Sequence, residues 1–312
     1  MSIQVDRNRV NFNELEVEND ALGLGLLEPI VDFPIYNAAT YKTVPIDVDG
    51  KANKEKLVDV AEAGIKSVPY YRTQAKNNPT YKSNVVGAPD VNYAREGTVD
   101  ALLKANEILN KLGLELVVLD AHRSPATQRK LFKAFEEQFF EAKGCGLCAV
   151  TDKNRAQILN KRKYLAEDAK IFALDYCSSA DGFDPKNPKT WPMHSTGGAV
   201  DVVLLEKKTG KVVDMGEGYF DNPKDITHTH HYEKKGELSD KEKGFLKARR
   251  VLYNAMTKVG FVNYGYECFH YSLGDQYWAL LKGKTASYGY KMAPRDVGLS
   301  RVVGGLLNVK NV

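Results

Sequence analysis

The segment Ala199-Val200-Asp201-Val202-Val203-Leu204-Leu205 constrains the fold more than any other stretch of this chain. Apart from one aspartate it is an unbroken apolar run rich in valine, so it reads as a buried strand. A lone carboxylate on such a strand is expensive to bury. Asp201 therefore needs a partner, either a metal or a cation such as arginine, unless it caps a loop. The preceding residues are Met193-His194-Ser195-Thr196-Gly197-Gly198, and their glycine turn can fold His194 back toward Asp201.

Composition narrows the classes of function. At 312 residues the chain can form one large domain or two modest ones. Its 43% hydrophobic and 27% charged residues suit a soluble globular protein. The net charge of +4 is spread among interleaved acids and bases, which argues against a nucleic-acid partner. No run approaches the ~20 apolar residues of a membrane span. The N-terminal residues are polar and acidic and lack the apolar core of a secretory signal, so the expected location is cytoplasmic. Cys145, Cys148, Cys177 and Cys268 then read as free thiols.

Periodicity supplies the frame. Residues 1–30 show no clear period and read as a tail or a surface extension. One helix is expected near Asn53–Ala63. Val99, Leu102, Leu103, Ala105, Ile108, Leu109 and Leu112 recur at helical spacing before Gly113. Leu114–Leu119 reads as a buried strand ending in Asp120-Ala121-His122-Arg123. Ser124-Pro125 then caps a helix with Leu131, Phe132, Phe135 and Phe139 on its apolar face. Residues 145–190 look like an insertion with a helical stretch at Arg155–Leu174. Ser239-Asp240-Lys241-Glu242 is a capping box that opens a long helix ending at Gly260. Phe261–Leu273 is the last expected strand. The irregular alternation gives an α+β class: a single domain over 1–312, core about 95–280, with a small mixed or antiparallel central sheet flanked by helices.

Two further elements carry chemistry. In Glu267-Cys268-Phe269-His270 a carboxylate three residues before a histidine can serve a metal-bound water while the histidine holds the metal. Residues three apart on an ideal strand face opposite ways, so the strand must end, bulge or twist between them. Arg123, just past a strand end, supplies a cation. Together His194, Asp201 and His270 offer the three ligands of a catalytic zinc, whose bound water has a pKa of about 7 and can yield its proton to Glu267.

The order strand–Asp120-x-x-Arg123, His194-Ser195-x-Gly197-x-Ala199-x-Asp201, Met215-Gly216-x-x-x-Phe220-Asp221 and Glu267-x-x-His270 resembles the VanX-type D-alanyl-D-alanine dipeptidases, of the zinc D-Ala-D-Ala peptidase superfamily. The likeness runs roughly from Arg95 to Tyr277. It implies one zinc per chain on His194, Asp201 and His270, in a cleft on the sheet, with Glu267 as base and Arg123 steadying the oxyanion. It further implies Asp221 at the substrate's free amino group and Asp120 orienting Arg123, with Ser195 among the substrate-contacting residues. The partner is then a small dipeptide; the oligomeric state is open.

The pocket wall departs from the family pattern, with His122-Arg123-Ser124 for Tyr-Arg-Pro, Ser195-Thr196-Gly197 for Ser-Arg-Gly and Cys268-Phe269 for a tryptophan pair. The rival readings are a D,D-carboxypeptidase acting on cell-wall peptides and a catalytically silent zinc-binding module. Asp221 favours the dipeptidase, and retention of Glu267 and Arg123 favours an enzyme. Thr227-His228-Thr229-His230-His231 reads as a polar loop beside the cleft, Cys145-Gly146-Leu147-Cys148 as free thiols, Gly23-x-Gly25 as flexible chain, and Lys161-Arg162-Lys163 as a solvated helix face.

Overall fold

A central sheet of five strands organises the computed structural model, which describes residues 3–5, 9–17, 23–217 and 224–293. The strands are β1 (Lys66–Ser67), β2 (Leu114–Asp120), β3 (Ala199–Glu206), β4 (Val262–Asn263) and β5 (His270–Ser272), in spatial order β1-β2-β3-β5-β4. β1 and β2 are parallel and every other pair is antiparallel, so the α+β class with a small mixed sheet describes the molecule. β3 lies in the middle. Its residues from Ala199 to Leu205 are at most 1% exposed, because helices and neighbouring strands cover it on all sides.

The flanking helices follow the apolar periods of the sequence. Helix α1 (Glu96–Asn110) buries Val99, Leu102, Ala105 and Leu109 and packs on β2. Helix α2 (Pro125–Ala142) starts where the Ser124 hydroxyl accepts from the Thr127 amide at 3.2 Å, with Pro125 in the first turn. Two shorter helices, α3 (Arg155–Tyr164) and α4 (Ala166–Leu174), form the insertion, and α4 lies against α2. Helix α5 (Asp240–Lys258) opens on a complete capping box between Ser239 and Glu242 and packs on α1 and β3.

Three expectations need correction. The helix expected near 53–63 is a single turn, Lys51–Lys54, followed by the strand Leu57–Asp59 paired with Tyr93–Arg95. The strand expected over 261–273 is a hairpin, β4 and β5, because Tyr264–Phe269 turn the chain back on itself. Within the stretch read as a tail or surface extension, Val5, Val10, Phe12 and Leu26 are buried in the main core. There Val10–Asn11 pairs in parallel with Val213–Asp214. Among the described residues no helix is long and apolar enough to cross a membrane.

Candidate metal centre

Strand register brings the first members of the site together. β2 and β3 pair regularly from Leu114↔Glu206 to Val118↔Val202, and then a bulge at Leu119 sets Asp120 opposite Asp201. Across the other edge of β3, Asp201 is paired with His270. Asp120, Asp201 and His270 thus form one row over three strands, all at most 2% exposed. Two adjacent buried carboxylates cannot persist without positive charge beside them.

His194 enters from the turn Met193–Thr196. Gly197 ends that turn at φ +76°, a left-handed conformation that favours glycine. A Cβ there would lie 2.4 Å from Leu57 Cδ2. The reversal brings His194 over Asp201, as the glycine turn in the sequence suggested. Arg95, fully buried, fixes the turn: its Nε donates to Thr196 O at 2.8 Å. The rest of its guanidinium reaches the carbonyls of Asn53, Glu55 and Gly289. Burial lowers the Arg95 pKa to about 10, which leaves it charged at neutral pH.

The three expected ligands converge. His194 Nε2 lies 3.3 Å from His270 Nδ1 and 3.6 Å from Asp201 Oδ1, and His270 Nδ1 lies 3.0 Å from that oxygen. Donors bound tetrahedrally at zinc-like distances stand about 3.3 to 3.5 Å apart, so the set fits a small divalent ion. His194 Nδ1 is 2.7 Å from Ala121 O. This contact assigns the proton to Nδ1 and turns the Nε2 lone pair inward. Burial holds the His194 pKa well below its usual value, so the ring is the neutral species a metal requires. Burial would raise Asp201, but the two imidazoles hold it down at about 2. His270 is raised, since the Asp201 carboxylate overrides its burial. Among the described residues no other group of three such side chains converges.

Glu267 sits in the hairpin turn, not on the strand, which resolves the facing problem posed by its spacing from His270. Its Oε2 is 3.6 Å from His270 Nδ1. Burial raises its pKa to about 7, with Asp201 adding to the shift and His270 and Arg123 opposing it. The turn is propped from behind: Cys268 N donates to Thr227 O at 2.9 Å, and Thr229 N to Gly265 O at 3.0 Å. Buried Arg249 of α5 donates at 2.8 Å to each of Met215 O, Ile226 O and His228 O. The histidine-rich tract therefore serves as a brace for the Glu267 turn.

Arg123 leaves the end of β2. Its guanidinium lies 3.1 Å from Asp120 Oδ2 and 5.5 Å above the Tyr71 ring. Asp120 Oδ2 is also 3.3 Å from His194 Nδ1, so one carboxylate touches both the cation and a ligand. Burial, with the Asp201 charge adding and Arg123 opposing, lifts Asp120 to about 7. Ser195 is fully buried and its hydroxyl donates to Arg123 O at 2.9 Å, so it ties the Arg123 loop to the His194 turn. Asp221 lies outside the described residues.

Arg123, His194, Glu267 and His270 face a cleft of about 50 Å³. Gln128 and residues 174–178 of the insertion also line it, and sequence reading assigned none of them a role at the site. A larger hollow of about 570 Å³ lies beside His122 and Ser124 and contains none of the three ligands. Arg95 and Arg249 were also missed, because a buried arginine bonded to carbonyls has no spacing that separates it from a surface one.

Comparison with known proteins bears on the same residues. Residues 165–287 match the Peptidase M15 family, described as D-ala-D-ala dipeptidase. That span includes His194, Asp201, Glu267 and His270 and excludes Arg123. A D-alanyl-D-alanine dipeptidase of Synechocystis sp. is 36% identical over 97 residues, which make up 30% of this chain and 38% of that protein. The chain thus spans well under half the length of the curated relative it matches. Among solved structures, the LdcB LD-carboxypeptidase is 14% identical with a TM-score of 0.31, over 62% of this chain and 67% of that one. A likeness so slight transfers neither fold nor function.

Proposed function

We propose that this protein is a zinc-dependent peptidase that hydrolyses D-alanyl-D-alanine or a related small dipeptide, a reading supported by the match of residues 165–287 to the Peptidase M15 family, described as D-ala-D-ala dipeptidase. One observation carries the reading: three neutral or anionic donors lie 3.0–3.6 Å apart with a fourth carboxylate, Glu267, 3.6 Å from one of them. His194 Nε2, Asp201 and His270 Nδ1 would hold the zinc. When bound, zinc lowers the pKa of a water and polarises a carbonyl.

Glu267 takes the proton from the attacking water and passes it to the leaving amine. Its raised pKa suits both transfers near neutral pH. Arg123 offers its charge to the oxyanion as the carbonyl becomes tetrahedral. Asp120 aligns Arg123 and steadies the His194 tautomer. Ser195 contributes by holding the Arg123 loop rather than by touching substrate. Asp221 is the proposed partner of the substrate's amino group.

The test is amine release from D-Ala-D-Ala by zinc-loaded protein, beside the L,L dipeptide, an N-acylated D-Ala-D-Ala and a Glu267→Gln control. Cleavage of the free D,D dipeptide, lost in Glu267→Gln with zinc retained, is expected. Cleavage of the acylated compound alone would replace this reading with a D,D-carboxypeptidase. No turnover with one zinc bound would leave a silent metal-binding module.

A further inference from the structure

Residues 286–291 follow the last helix, Gln276–Lys282, and all but the first two lie beyond the family match. They have no part in the chemistry above, yet the segment is bonded along its length. Ala286 N donates to Pro45 O and Tyr288 N to Gly274 O, each at 2.9 Å. Gly289 N donates to Asn53 Oδ1 at 2.8 Å, and its carbonyl accepts from Arg95 at 2.8 Å. The Tyr288 ring sits in a socket of glycines. A Cβ at Gly97 would lie 2.6 Å from its hydroxyl, and one at Gly198 or Gly274 would lie 3.0 or 2.6 Å from its Cδ2. At the base of the socket its hydroxyl donates to Glu55 Oε2 at 2.8 Å.

The far end of the segment meets both loops of the site. Lys291 N donates to Ser195 O at 3.0 Å, one residue beyond the ligand His194. Lys291 O lies 2.6 Å from Nε2 of His122, one residue before Arg123. Burial lowers the His122 pKa to about 4, so the ring is neutral, and the facing carbonyl assigns its one proton to Nε2. The Ser195 hydroxyl, donating to Arg123 O at 2.9 Å, closes the circuit. Three hydrogen bonds thus join the Arg123 loop, the His194 turn and the C-terminal segment. His122 and Ser195 are at most 1% exposed, so water does not readily replace a donor lost there.

We propose that residues 286–291 are a clasp, seated by Tyr288 and closed by His122, that holds Arg123 and His194 at their working spacing. His122 does not line the cleft; it is a positioning residue that acts through Lys291 and Ser195. The effect on turnover rests on the dipeptidase reading, and the effect on the metal rests on the ligand set alone.

The experiment measures zinc affinity by chelator competition, and kcat and KM for D-Ala-D-Ala at saturating zinc, in the native protein, His122→Phe and His122→Gln. Phenylalanine fills the space of the ring without a donor, whereas glutamine can set an amide N–H where Nε2 stands. His122→Phe is expected to weaken zinc binding about tenfold and to lower kcat about tenfold with KM little changed, the loss of one buried hydrogen bond at each loop. His122→Gln is expected to recover most of both. Native zinc affinity or native kcat in His122→Phe overturns the clasp, as does a glutamine variant as impaired as the phenylalanine one. If the native protein does not cleave D-Ala-D-Ala, the dipeptidase reading falls, and the zinc affinities still decide the clasp. Should the variants fail to fold, hydrogen exchange in the native chain decides, because coupling between two sites is reciprocal and a clasp that favours zinc is favoured by it. Zinc is expected to slow exchange of the amides of residues 286–291 more than that of the amides of α3. Equal slowing in both overturns the clasp.

Discussion

Replacing Arg249 by methionine tests whether the brace behind the Glu267 turn matters to catalysis. Methionine keeps an unbranched apolar stem but is shorter, and it loses the donors to three carbonyls, each now at 2.8 Å. Hydrogen bonds from a charged donor contribute about 1.5–3 kcal/mol each, and an orphaned buried acceptor incurs the upper end. Met215 is fully buried, so its carbonyl bears that full loss, while Ile226 and His228 are half-buried and water can replace the donor there. The gross loss is then about 5 kcal/mol. Removing a guanidinium that is 1% exposed returns part of its desolvation cost, of order 2 kcal/mol. A net destabilisation of about 3 kcal/mol is expected, read from urea unfolding monitored by circular dichroism. Because His194, Asp201 and His270 are held by β3, β5 and Arg95, zinc content should stay at one per chain. The Glu267 turn loosens instead, and kcat should fall at least tenfold with little change in KM. Native kcat in a variant destabilised by the expected amount would refute the brace. Loss of zinc together with kcat would show that Arg249 supports the metal row instead.

Three other predictions address the metal row and the base. Gly197→Ala puts a Cβ 2.4 Å from Leu57 Cδ2 at φ +76°, costs about 1–3 kcal/mol, and should weaken zinc affinity by displacing His194; competition with a chromogenic chelator measures it, and unchanged affinity would uncouple the turn from the ligand. Glu267 must be ionised to accept a proton and its pKa is raised to about 7 without metal, so kcat/KM should rise with pH up to about 7. A bound dication pulls this limb to lower pH, and an acidic limb that stays unchanged in Glu267→Gln would remove Glu267 from the proton transfer. Zinc removal by a chelator should abolish activity and lower the melting temperature. With zinc at 100-fold over its dissociation constant the linkage is about 2.7 kcal/mol, or roughly 4 °C for a chain of this size, and calorimetry without and with added zinc would expose a site that does not bind it.

Much of the fold could be read directly from residue order. Helical periods and caps placed α1, α2 and α5, because each local signal, from Ser124-Pro125 to the Ser239–Glu242 box, agrees with the face that the helix buries. The apolar runs marked β2 and β3, and a carboxylate stranded on β3 announced that something charged must meet it. The convergence of His194, Asp201 and His270, with Glu267 beside them, was legible because a candidate metal site demands few residue types in a recognisable order. What the order of residues could not supply was register and long-range contact. A bulge at Leu119 decides that Asp120 faces Asp201, and a hairpin rather than a strand decides that Glu267 and His270 share a side. Arg95, Arg249 and Gln128 act through carbonyls 20 to 200 residues away, and backbone acceptors leave no trace in side-chain identity. The role of residues 174–178 as a wall of the cleft likewise depends on how α4 stacks against α2, since the burial of Tyr176 on Phe135 is a property of packing and not of either residue alone.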